Sequence, residues 1–144
     1  MDIIWGLIVL VVSLFGWFGQ AITAFSPSTA VKYGLTEPEE DVDPAFYADV
    51  RGEAFWDSIS TWPLPVAGLL LLMGEPAWAY FGLVGGGIYL YFAGRGIFTR
   101  RVMQKRGIRV GKPENLKVAY TALVVWGVVG AITIFMAAAD LPLP

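Results

Sequence analysis

The 144-residue sequence contains no cysteine and no histidine. Disulfides, thiolate nucleophiles, zinc sites built from Cys or His, histidine-ligated haem and a Ser-His-Asp triad are therefore excluded. Any catalysis would depend on carboxylates, Tyr, Lys, Arg or a carboxylate-bound cation such as magnesium. No motif specifies a reaction, and no residue pattern identifies a catalytic group, a metal site or a particular cofactor.

Charged residues are also scarce, at 15% of the chain, whereas hydrophobic residues make up 56%. The mean hydropathy is +0.61. The apolar surface of such a chain exceeds what a water-facing exterior could cover, so lipid is the expected solvent. The N-terminal segment carries Asp2 and no basic residues ahead of its apolar stretch, so we do not expect a cleaved signal peptide.

Four apolar stretches predict an all-α integral membrane protein, folded as a four-transmembrane-helix bundle. We expect a single membrane domain over residues 1–144, with spans at about residues 3–25, 54–73, 76–98 and 116–139. The first stretch contains no charged residue and is long enough to cross the hydrocarbon core. A Gly-Glu-Pro turn separates the second and third spans, so these two should be antiparallel neighbours.

The second span has a short apolar part, because only residues 63–73 are free of polar side chains. A helix of about 20 residues that ends at residue 73 must begin near Ala54 and carry Asp57 in its first turn. Pro63 and Pro65 would then lie in its interior and should kink the second helix or locally unwind it. The alternative is an interfacial helix around residues 46–56 that leads into a short, tilted span.

The charges are segregated into two blocks of opposite sign. Residues 37–57 contain eight acids and one base, and residues 95–117 contain eight Lys or Arg and one acid. These blocks predict an acidic loop at 26–53 and a basic loop at 99–115 on the same side of the membrane. The positive-inside rule makes that side cytoplasmic and both termini non-cytoplasmic. The acidic loop could fold over the basic one.

A candidate polar or ligand site lies where all four spans approach the cytoplasmic face. Asp49, Glu53 and Asp57 are spaced i, i+4, i+8, which places them along one side of a helix. At about 1.5 Å per residue, the spans bring further polar groups to a similar depth. The six candidates are Gln20, Asp49, Glu53, Asp57, Arg95 and Tyr120. We predict that Arg95 pairs with Glu53 or Asp57, either as a structural ion pair or within a substrate, proton or cation site.

Gly82 and Gly86 form a GxxxG pair in the third span and predict a helix-packing face. This face would serve packing within the chain, a dimer or a cofactor contact. Several aromatic residues lie deep in the predicted spans, where they would pack or line a cavity for a quinone or carotenoid: Trp17, Trp62, Tyr91 and Trp126.

A run of basic residues follows the third span and resembles a juxtamembrane polybasic patch. Such patches fix topology and contact anionic lipid headgroups. The residues expected to make these contacts are Arg100, Arg101, Lys105 and Arg106. Topology already explains the charge bias, so we do not expect nucleic acid as a partner.

The layout of four short spans, with the longest polar connection after the first, resembles the small four-helix membrane proteins grouped with DoxX. Local likeness is confined to Arg51-Gly52 and to the apolar run after Pro65. The resemblance concerns architecture, and no residue role is carried over from it.

The leading functional hypothesis is a small integral membrane protein that acts by association. It would be an accessory subunit of a membrane complex or a homo-oligomer, with membrane lipids and a protein as its partners. This hypothesis rests on the glycine face and on the two charged loops, which could form a docking surface. One alternative is a small transporter or channel that uses the Asp57, Glu53 and Arg95 layer. A lipid- or quinone-directed membrane enzyme is the other, although the sequence favours a protein that is not an enzyme.

Overall fold

The structure is a computed structural model that describes residues 2–141. Within this range it is helical and contains no strand. The helices are α1 (Asp2–Phe25), α2 (Pro27–Lys32), α3 (Pro44–Ser60), α4 (Pro63–Leu72), α5 (Trp78–Lys105) and α6 (Pro113–Asp140), and a single 3-10 turn covers Glu39–Asp41. The all-helical class predicted from the sequence is confirmed.

Helix α5 packs against α4 and α6 through adjacent glycines. A Cβ on Gly85 would lie 2.5 Å from the backbone nitrogen of Leu64 in α4. A Cβ on Gly86 would lie 2.8 Å from the carbonyl oxygen of Gly130 in α6. Consecutive helical positions point about 100° apart, so the two glycines serve two different neighbours. Close backbone approach through small residues is the usual packing of helices in lipid.

Helix α1 packs against both α4 and α3. Gly68 of α4 lies against the backbone of Leu10, where an added Cβ would approach the Leu10 nitrogen to 2.7 Å. At the opposite end of α1, the Arg51 guanidinium of α3 donates to the carbonyl oxygen of Thr23. These contacts show that α1 runs antiparallel to the α3 and α4 segments. Helices α4 and α5 are joined by a tight turn at Gly74, whose φ of 70° favours glycine.

The second predicted span differs from the expected single bent helix. The structure has two helices, because α3 ends at Ser60 and α4 begins at Pro63. Pro63 and Pro65 therefore lie in the first turn of α4, where a missing amide N–H loses no intrahelical hydrogen bond. The arrangement corresponds to the alternative considered above, a separate helix around residues 46–56 followed by a short apolar one.

Helix α3 also begins earlier than residue 54, within the predicted acidic loop. Asp43 caps its N-terminus by accepting a hydrogen bond from the Ala45 amide at 2.9 Å, and Pro44 takes the first helical position. Near its other end, the Trp17 indole donates to the Ser58 carbonyl oxygen at 2.8 Å. That bond supplies a donor for one of the last-turn carbonyls, which a helix leaves without partners. Together with α2, this start makes the 26–53 segment partly helical.

Within residues 2–141, two helices are long and apolar enough to cross a membrane, over Ile3–Phe25 and Pro113–Asp140. Helices α3 and α4 are each too short once residues 61 and 62 separate them. Arg95, together with the glycines and tyrosines, lowers the mean hydropathy of α5. Large apolar side chains are nevertheless exposed on every long helix, including Val11, Ile59, Val84 and Val128. The core is buried among the helices around Leu64 and Tyr89.

Candidate functional site

Arg95 of α5 makes ion pairs with two carboxylates of α3. Its Nη1 lies 2.6 Å from Oε1 of Glu53, and its Nη2 donates to Oδ1 of Asp49 at 2.6 Å. The two acids are one helical turn apart, so a single guanidinium reaches both. The sequence predicted a pair with Glu53 or Asp57. The structure pairs Arg95 with Glu53 and adds Asp49.

Asp57 makes no ion pair with Arg95 among residues 2–141. The residue is 6% exposed, and its Oδ2 is buried without a hydrogen-bond partner among residues 2–141. Thr61 donates its hydroxyl to the backbone carbonyl of Asp57, not to the carboxylate. Two i+4 steps rotate about 80° around a helix, so Asp57 points in a different direction from Asp49 although both lie along the same side of α3.

Neither Gln20 nor Tyr120 makes a hydrogen bond with the ion pair among residues 2–141. The Tyr120 hydroxyl donates to Oε1 of Gln104 at 3.0 Å, on an exposed surface between α5 and α6. Gln20 instead lines a cavity together with Glu53. The single polar layer expected from depth therefore divides into an ion pair, a buried carboxylate, a cavity-lining amide and a surface hydrogen bond.

The cavity has a volume of about 640 Å³ and lies between α1 and α6, with α3 and α5 behind it. Its apolar part is lined by Phe15, Phe92 and Trp126. The indole of Trp126 donates to the Val12 carbonyl oxygen at 3.0 Å and so ties α6 to α1. Beyond that contact the two helices leave a gap, and Gly19 contributes to it because it has no side chain. A cavity of this size matches the sites that hold small molecules in proteins.

The polar part of the cavity is at the end of the helices from which both charged loops extend. Gln20, Glu53 and Arg100 line it. The Arg100 Nη1 donates to the Gly96 carbonyl oxygen at 3.0 Å, and its guanidinium lies 5.3 Å from the centre of the Phe46 ring. Its Nε is buried and has no hydrogen-bond partner within residues 2–141. Arginine remains charged at neutral pH, so this buried Nε belongs to a cation.

Arg100 thus departs from the role predicted for the basic run. Arg101, Lys105 and Arg106 are exposed, as a surface contact with lipid headgroups requires. Arg100 is only partly exposed and turns inward against Phe46. The four basic side chains of this run therefore differ in position: three are exposed, and Arg100 points inward.

The acidic and basic loops contact each other at the mouth of the cavity. Lys112 Nζ lies 2.7 Å from Oδ2 of Asp41, and the Asn115 amide donates to Oε2 of Glu37 at 2.9 Å. The hydrogen bond with Asp41, together with that carboxylate's charge, raises the pKa of Lys112. The sequence allowed the acidic loop to fold over the basic one, and in the structure the two loops are in contact. Both loops are consequently less free as a docking surface than the sequence suggested.

A small apolar cluster reinforces this contact. Val42 and Phe46 from the acidic side are buried against Val110 of the basic loop. The Asp43 amide also donates to the Arg109 carbonyl oxygen at 2.9 Å. The loops therefore meet through backbone, apolar and charged contacts.

The GxxxG pair lies against α6 of the same chain. A Cβ on Gly82 would approach the Ala137 Cβ to 3.1 Å, and Gly86 lies against Gly130. These two glycines serve packing within the chain. Gly87 and Gly94, by contrast, have open space at the position of a Cβ.

Sequence reasoning did not identify the cavity or the inward position of Arg100. The available signals were Gly16 and Gly19, which leave one side of α1 without side chains, and the i, i+4 spacing of Gly96 and Arg100 on α5. Of the four deep aromatic residues that the sequence offers as cavity residues, Trp126 lines this cavity, whereas Trp17, Trp62 and Tyr91 do not.

Comparisons with known proteins give no relative. No family model matches the chain, and neither a curated protein nor a solved structure matches it. The resemblance in layout to the DoxX group carries no further argument.

Proposed function

We propose that the chain is a small integral membrane protein of four spans that binds a lipid-like amphiphile between α1 and α6. The spans are α1, the α3–α4 segment, α5 and α6, in a single membrane domain of residues 1–144. Exposed apolar side chains on each of these elements support the membrane placement, since a water-facing bundle would expose polar residues there. The Lys/Arg-rich loop makes the loop end cytoplasmic and the termini non-cytoplasmic.

The cavity is the observation that carries the binding function. One end is lined by aromatic rings near the middle of α1 and α6, and the other by Gln20, Glu53 and Arg100 near the cytoplasmic loops. This polarity follows that of one leaflet, in which acyl chains lie deep and headgroups lie at the surface. A molecule with an apolar chain and a polar head would match both ends.

The test is to fill the cavity without disturbing the packing. Gly19 lines the cavity and has no atom within 4 Å of the position of a Cβ, so Gly19→Phe places a ring in the empty space. Gly87→Phe is the matched control, because Gly87 is equally open but lies outside the cavity. Native mass spectrometry in mild detergent then counts bound amphiphile per chain.

We expect one tightly bound amphiphile on the unmodified protein and on Gly87→Phe, and its loss from Gly19→Phe. Retention of the same molecule by Gly19→Phe would contradict binding in this cavity. Loss from both variants would assign the binding to general packing of the bundle and count against the proposal as well.

A second candidate function is association with another protein or a second copy, as an accessory subunit or homo-oligomer. Its support is the open surface of α5 at Gly87 and Gly94, beside the exposed cations Arg101 and Lys105. Native mass spectrometry also tests this proposal. A stoichiometric protein partner or a defined oligomer supports it, and a lone monomer contradicts it.

A further inference from the structure

The charges that line the cavity differ in how they are compensated. At the mouth, Lys112 pairs with Asp41, and Glu37 accepts hydrogen bonds from Asn115 and from the Lys112 amide. Deeper in, Glu53 is held 2.6 Å from Arg95 of α5. Each of these groups therefore has a charged or hydrogen-bonding partner within the chain.

Arg100 is the exception among the cavity-lining charges. It makes no ion pair with a carboxylate of the described residues. Its guanidinium instead donates a hydrogen bond to the Gly96 carbonyl oxygen and makes a cation–π contact with the Phe46 ring. The nearby Glu53 is engaged by Arg95. A guanidinium that is partly removed from water without an anion in direct contact is unfavourable, and an anion in the cavity would relieve this cost.

We propose that the occupant is an anionic single-chain amphiphile, whose phosphate or carboxylate is bound by Arg100 and whose chain lies between α1 and α6. This inference rests on the proposed function and adds the charge of the ligand to it. The planar guanidinium suits phosphate and carboxylate, both of which it binds through paired N–H donors. The chain would extend past Gly19 towards Trp126 and Phe92, which line the apolar end.

The proposal is tested with two probes that differ only in their headgroup. Oleoyl lysophosphatidic acid and monooleoylglycerol share one chain and one glycerol, and only the first carries a phosphate. Oleate provides the carboxylate version of the same chain. Binding to the purified protein in a neutral detergent is measured for the unmodified chain, for Arg100→Gln and for Arg100→Lys. The control is Lys117→Gln, which changes an exposed cation outside this cavity.

We expect at least one anionic probe to bind the unmodified protein about 10- to 100-fold more tightly than monooleoylglycerol, the range of a hydrogen bond to a charged group. Arg100→Gln should remove this preference, Arg100→Lys should retain part of it, and Lys117→Gln should leave it unchanged. Equal binding of charged and neutral probes to the unmodified protein would overturn the proposal. So would a preference that survives Arg100→Gln or disappears equally in Lys117→Gln.

Failure of this inference can be distinguished from failure of the proposed function by Gly19→Phe. If charged and neutral probes bind equally well and Gly19→Phe abolishes both, the cavity is the binding site but Arg100 does not select charge. If Gly19→Phe changes neither, the cavity is not the binding site and both proposals are wrong. The comparison of probes on the unmodified protein remains decisive even if Arg100→Gln does not fold.

Discussion

The close approach of α4 and α5 at Gly85 makes a quantitative prediction. A Cβ at this position would lie 2.5 Å from the nitrogen and 2.7 Å from the Cα of Leu64, whereas ordinary contacts begin near 3.4 Å. Leu64 is fully buried, and its backbone cannot move without the rest of α4. Gly85→Ala would therefore force the two helices apart by roughly 1 Å in a closely packed interior. Such overpacking costs about 1–3 kcal/mol.

Gly87→Ala on the same helix is the matched control, because nothing lies within 4 Å of its Cβ position. Both substitutions gain helix propensity, at most about 1 kcal/mol, so this contribution cancels when the two variants are compared. We expect Gly85→Ala to be less stable than Gly87→Ala by about 1–3 kcal/mol. The assay is reversible unfolding in mixed detergent and SDS, followed by circular dichroism. Equal free energies of unfolding would refute the close approach of α4 and α5.

Two further predictions concern the ion pair and the orientation. Arg95→Gln should lower the free energy of unfolding by roughly 1–3 kcal/mol, which is less than for a fully buried pair because the Arg95 side chain is 30% exposed. If the free energy of unfolding changes as little as in the exposed control Arg101→Gln, the pair is not stabilising. Since the chain has no native cysteine, Glu75→Cys and Lys105→Cys can each be labelled with an impermeant maleimide. We expect labelling of intact cells at residue 75 and labelling at residue 105 only after permeabilisation, and reaction of both from one side would exclude the proposed topology.

Several features of the fold were predictable because they depend on local chemistry. The first and last long helices follow from uncharged apolar runs, and the α4–α5 hairpin follows from the short Gly-Glu-Pro turn. The start of α3 was also encoded locally, since Asp43 followed by Pro44 is a strong helix N-terminal signal. The expected second span began too late because its length was set by the thickness of a membrane and not by this cap.

The pairing of Arg95 with Glu53 could be predicted from depth and charge, since Arg95 is the sole base of the third span. Its second partner could not be, because depth does not fix rotation about the α3 axis. Asp49 and Asp57 are both one turn from Glu53, and only packing against α5 distinguishes them. For the same reason, the sequence could not show that the Arg100 side chain points inward, because depth does not fix the rotation of α5 about its axis.

The cavity could not be predicted from any single segment. It exists because α1 and α6 meet at Trp126 and leave a gap beyond it, and this depends on how both helices pack against the rest of the bundle. Gly19 on α1 contributes to the gap. In the sequence, however, a glycine can equally indicate close helix packing, as at Gly85.

The most direct measurement of the central claim is photo-crosslinking with a diazirine-bearing fatty acid in membranes, with the adducts mapped by mass spectrometry. If an amphiphile occupies the cavity, adducts should form around Gly19 and Trp126, and excess unlabelled lipid should compete them away. Adducts on Ile132 and Phe135, whose side chains are exposed on α6, should not saturate. If no saturable adduct forms at the cavity residues, and labelling is confined to the outer faces, the protein does not bind an amphiphile between α1 and α6.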